Sequence, residues 1–131
     1  MLATLVGRAG IVVAGVTIDA GTVPSPALLR VGAKGGSPSR RSTASDPLTL
    51  SDVYFRVGGP HVGKATVSLQ VDSDHVLIDH SWVWRADHGV EGFTAGVEGD
   101  TDRWETNTAR NGVIVNGDDV TATGLFVEHY Q

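Results

Sequence analysis

The densest run of reactive side chains is Asp79-His80-Ser81-Trp82-Val83-Trp84-Arg85-Ala86-Asp87-His88-Gly89. Two Asp-His pairs and an arginine fall within eleven residues. Carboxylates beside imidazoles can take up and return protons, so the run has the parts for general acid–base chemistry. Asp87 and His88 are the candidates for that role, with Arg85 next to them as a substrate contact. A plainer account is equally open: Asp79 and Asp87 bond to turn amides and the histidines pair with them. Glu128, in Glu128-His129-Tyr130, adds another carboxylate. Carboxylates a few ångströms apart are what glycoside hydrolysis requires. Whether these groups meet depends on the elements that carry them.

Those elements form a repeat. Residues 11–19, 48–56, 76–84 and 120–128 share one nine-residue pattern. Positions one, three, six and eight are apolar or small, with Ser81 the polar exception. This alternation has the period of a strand. Positions four and five read Ala14-Gly15, Ser51-Asp52, Asp79-His80 and Thr123-Gly124, residue types that mark a bend. A further alternating strand precedes each segment: Leu2-Thr4-Val6, Ala27-Leu29-Val31, Val67-Leu69-Val71 and Val113-Val115. Insertions interrupt the pattern at 33–46 and 87–108. Three short strands cannot bury an apolar face alone, but stacked copies share one core. The expected fold is all-β: a right-handed parallel β-helix of about four coils, uncapped, forming one partial domain over residues 1–131. A sandwich of hairpins is the alternative, with Asn116-Gly117 as a hairpin turn. It is disfavoured because such two-residue loops do not recur between the strands.

In this arrangement position seven points outward and reads Thr17, Tyr54, Trp82, Phe126 down the stack. Position nine reads Asp19, Arg56, Trp84, Glu128. Apolar sugar faces stack on aromatic rings while charged groups bond the hydroxyls. Tyr54, Trp82, Trp84, Arg56 and Arg85 are therefore the expected polysaccharide contacts. The competing expectation is that the 87–108 insertion, with Phe93 and Trp104, covers these rings.

Composition excludes several functions. Ten Lys+Arg against fifteen Asp+Glu give a net charge of −5, which argues against nucleic-acid or anionic-membrane partners. There is no cysteine, hence no disulfide and no thiolate metal site. The longest apolar run, Gly10 to Val16, is far too short to span a membrane, and the N-terminus does not read as a signal peptide. Asp72, Asp74, Asp118, Asp119 and the acidic run Asp100-Thr101-Asp102 make no complete ligand loop, so neither metal nor cofactor is expected. The glycine-rich stretch from Gly32 to Arg41 lacks the ending of a phosphate loop. With 131 residues and no polar caps, the chain reads as a slice of a larger protein.

Residues 74–89 and 111–131, together with Val16-Thr17-Ile18-Asp19-Ala20-Gly21 and Ser25-Pro26-Ala27-Leu28-Leu29, carry a resemblance. They are similar to large secreted bacterial β-helix proteins of the pectate-lyase-like superfamily. More closely, they resemble the β-1,3-glucanases of glycoside hydrolase family fifty-five. The resemblance implies an extracellular polysaccharide-active enzyme in which two β-helices pack together and a glutamate in the groove acts as general acid. Glu128 is the local candidate for that acid. A polysaccharide lyase and a non-catalytic β-helix module, adhesive or structural, remain the alternatives.

Overall fold

The computed structural model describes residues 3–5, 10–32, 42–59, 61–86 and 107–130. They form ten strands and, among the described residues, no helix: β1 (Ala3–Leu5), β2 (Val12–Asp19), β3 (Ser25–Val31), β4 (Leu48–Val57), β5 (Lys64–Val71), β6 (Val76–Asp79), β7 (Trp82–Arg85), β8 (Thr108–Val115), β9 (Val120–Thr123) and β10 (Phe126–Glu128). One sheet runs β1-β3-β5-β8. The other joins β10-β7-β4-β6-β9, with β2 also on β4. Every strand pairing is parallel. Parallel neighbours cannot be joined by a two-residue hairpin. Asn116-Gly117 accordingly joins β8 and β9, which lie in different sheets. The hairpin sandwich is therefore ruled out.

The register reproduces the repeat column by column. Thr17, Tyr54, Trp82 and Phe126 are successive partners, as are Asp19, Arg56, Trp84 and Glu128. Leu48, Val76 and Val120 align in the same way. One column departs from expectation. Leu5, not Val6, pairs with Val31. The stretch Leu2-Ala3-Thr4-Leu5-Val6 is apolar in both phases of a period of two, so alternation does not choose between registers that differ by one residue.

The bend lies at position five in all four layers. Gly15, Asp52, His80 and Gly124 have φ of 64, 52, 46 and 58°. One left-handed residue resets the alternation, so positions six and eight return to the interior after positions one and three. For Asp52 and His80 that conformation costs about 1 kcal/mol or more, because a β-carbon crowds the backbone there. The interior is built from both sheets: Leu29, Val31, Leu69 and Val71 from one, Leu48, Leu50, Val53, Phe55, Val76, Ile78 and Val83 from the other, all buried. The backbone thus curls around a common core, with layers about 4.8 Å apart. Burial depends on having a neighbour on each side: Val53 and Val83 are fully buried, whereas Val16 and Val127, at the same column positions in the outer layers, are 40% and 46% exposed. No helix among the described residues is long and apolar enough to cross a membrane.

Candidate functional site

The outer face of β4, β7 and β10 carries the aromatic column. Tyr54, Trp82 and Phe126 are exposed, Trp82 to 40%. Tyr54 meets Trp82 edge-to-face, with ring centres 6.3 Å apart and planes at 81°. Trp84 stacks on Trp82 at 5.3 Å and 20°. Trp82 Nε1 donates a hydrogen bond to Glu128 Oε2 at 2.8 Å. The indole is thus held from three sides, by an edge, a face and a carboxylate, which fixes its orientation before any ligand arrives. Two clefts meet at Tyr54 and Trp82. One, of about 400 Å³, is lined by Asp52, Tyr54, His80, Trp82, Phe126 and Glu128 among others. The second, of about 320 Å³, is lined by Thr17, Tyr54, Arg56, Trp82 and Trp84.

The polar groups at the first cleft are also organised. His80 Nδ1 lies 2.7 Å from Asp79 Oδ1, and Thr123 Oγ1 donates to the same oxygen at 2.7 Å. The Thr123 hydrogen bond holds the Asp79 carboxyl below the usual carboxylate range; desolvation opposes this, and His80 adds to the lowering. Among the described residues no group of three or more His, Asp or Glu could hold a metal ion.

The residues expected to touch substrate are only partly brought together. Tyr54 and Trp82 line both clefts. Arg56 borders the second, but its guanidinium makes a bidentate pair with Asp19, at 2.8 and 2.7 Å. Trp84, expected in the open, is 8% exposed and stacks against Trp82. Arg85 departs furthest from expectation. It is the last residue of β7, pairs with the buried Val57 and is 3% exposed. Alternation explains this: with Trp82 outward and Val83 inward, Arg85 must also point inward. Its Nη1 approaches the His129 carbonyl at 3.5 Å, and burial lowers its pKa while the nearby Tyr130 raises it. Tyr130 shares a hydrogen bond with Ser68 at 2.7 Å, and burial pushes its phenol up to about 12. Arg85 is therefore an interior residue of this corner and not a surface contact. Asp87, His88 and the would-be cover with Phe93 and Trp104 lie outside the described residues. Asp52 lines the first cleft, although its sequence position suggested only a bend. The signal was available: it shares a column with His80 and lies two residues before Tyr54.

Comparison with known proteins bears on the fold and family of the chain. An exo-beta-1,3-glucanase of Streptomyces sp. (strain SirexAA-E / ActE) is 50% identical over 121 residues, which are 92% of this chain and 18% of that protein. The solved structure of sacteLam55A from Streptomyces sp. SirexAA-E matches with a TM-score of 0.81 and 48% identity, covering 97% of this chain and 21% of that one. The chain thus spans about a fifth of the length of these relatives. The family described as the LAM55 pectate lyase-like domain matches residues 1–131. This chain, with its stacked parallel strands and its aromatic outer face, belongs to the LAM55 pectate lyase-like domain family.

Proposed function

We propose that this chain forms a sugar-contacting face of a glycoside hydrolase acting on a β-1,3-glucan. The observation that carries the reading is Trp82, held by Tyr54, Trp84 and Glu128 yet 40% exposed at the junction of two clefts. A rigid aromatic surface beside carboxylates suits a pyranose ring, whose apolar face stacks while its hydroxyls bond. The name of the Streptomyces relative supplies the substrate class. In this reading Tyr54 and Phe126 extend the stacking surface, and Glu128 and Asp52 are the carboxylates nearest the sugar. Glu128 is our candidate for proton transfer. The architecture we assign is a right-handed parallel β-helix of four coils that packs against a second β-helix in a secreted parent protein.

Titration of the intact chain with β-1,3-linked gluco-oligosaccharides, followed by tryptophan fluorescence, tests the site. Trp82→Ala should raise Kd at least about tenfold, the loss of roughly 1.4 kcal/mol. Unchanged affinity sinks the proposal. The buried Trp84 favours a second reading, a non-catalytic module whose aromatic face packs on another domain. In that case Trp82 would be shielded from acrylamide quenching in the parent protein.

A further inference from the structure

We propose that His80, oriented by Asp79, determines specificity in the first cleft: its Nε2 accepts a hydrogen bond from a hydroxyl of the sugar ring seated on Trp82. The inference rests on the function proposed above and adds a residue to it. Three observations carry it. First, His80 and Trp82 line the same cleft. One would supply a polar contact and the other an apolar surface for a single ring. Second, the imidazole is oriented. Nδ1 lies 2.7 Å from Asp79 Oδ1, and an ionised carboxylate can only accept, so in the neutral ring Nδ1 carries the proton and Nε2 keeps its lone pair. Thr123 fixes that carboxylate from the neighbouring layer through a 2.7 Å hydrogen bond. Gly124, also in that layer, leaves room for the ring: a β-carbon there would sit 3.2 Å from His80 Cδ2.

Third, His80 adopts a backbone conformation that favours glycine. Its φ is 46°, and the same column holds Gly15 and Gly124 in the outer layers. The fold therefore accepts glycine here. Histidine holds the strained conformation with a side chain 72% exposed, so core packing does not account for it. His75, Asp119 and His129 take the same left-handed conformation away from this cleft, so it is the combination of that conformation with an exposed, oriented ring at the cleft that points to function. Asp52, the other non-glycine residue in this column, lines the same cleft. One fixed acceptor beside a fixed aromatic ring would discriminate between ring orientations, because a sugar that turns its hydroxyl away leaves the acceptor unpaired.

The test is a double-mutant cycle on the intact chain, with Kd for a β-1,3-linked gluco-oligosaccharide and Tm measured together. His80→Gly relieves the backbone and removes the imidazole. Tm should hold or rise while Kd rises about five- to tenfold, the loss of one hydrogen bond. Asp79→Asn should weaken binding on its own but add nothing in the His80→Gly background, because it acts only through the ring. If His80→Gly binds like the parent while Trp82→Ala loses affinity, the His80 role is overturned and the proposed function stands. If Trp82→Ala also binds like the parent, or the parent itself does not bind, both are overturned. A further loss from Asp79→Asn in the His80→Gly background would overturn the positioning role of Asp79.

Discussion

Two polar ladders cross the layers of this molecule, and they end differently. At the corner after β5 and β8, Arg30 donates to Gln70 at 3.0 Å, Gln70 donates to Asp72 at 3.1 and 2.9 Å, and Asn116 donates to Asp72 at 2.6 Å. Arg30 also lies 3.6 Å from Asp72, whose side chain is 2% exposed. This ladder closes on itself. Most of its hydrogen bonds run to other members of the ladder, across layers at Arg30–Gln70 and Asn116–Asp72 and within one layer at Gln70–Asp72, while the buried Arg30 Nε makes only the 3.6 Å ion pair. On the aromatic face the ladder stays open. Asp79 is engaged by Thr123 and His80, but the His80 side chain is 72% exposed, and the cleft beside it also holds Asp52 and Glu128. Repetition produced both ladders. What separates them is whether the neighbouring layer supplies the partners or leaves them to come from solution.

Phe55→Ala should have the largest effect and should blur the comparison, because both regions rest on the core that Phe55 fills. The ring is 1% exposed, and its removal should cost about 4 kcal/mol, seen as a large fall in the urea midpoint. Asp72→Ala should sharpen it. Removing the acceptor at the centre of the closed ladder should cost about 2 kcal/mol of stability and leave glucan affinity unchanged. Trp82→Ala should do the reverse. A loss of affinity on Asp72→Ala would show that the two ladders are coupled.

The smallest effect is a pH limb. The Tyr130 phenol is raised to about 12 in the folded chain, against an ordinary value near 10. The folded state therefore holds its proton more tightly than the unfolded state. The stability it contributes is complete below about pH 10 and is lost as pH rises toward 12. Tyr130→Phe should flatten that alkaline limb in melting curves without moving the open ladder. A limb that persists in the variant would assign it to other groups.

Much of this was legible beforehand. Columns such as Tyr54–Trp82–Phe126 followed from counting along the repeat, because parallel stacking places equivalent residues over one another. The Leu5–Val31 pairing was not, since both phases of that strand are apolar. Arg85 is instructive in another way. Alternation already turned it inward, but a guanidinium suggests a surface, and the pairing with Val57 shows that alternation prevailed. Trp84 pointed outward as expected, yet it is 8% exposed. Direction follows from the backbone period, whereas burial depends on what else packs there.

Strand period, bend positions and column membership are local properties, set by side-chain alternation and by a left-handed residue every nine-residue unit. They were written in the order of the residues. Which ladder closes and which stays open was not. The closed ladder brings Arg30, Gln70, Asp72 and Asn116 together from three layers, and the first cleft draws Asp52, His80 and Glu128 from three layers. Those outcomes depend on ångström-scale distances between segments remote in sequence, and only the packed layers set such distances.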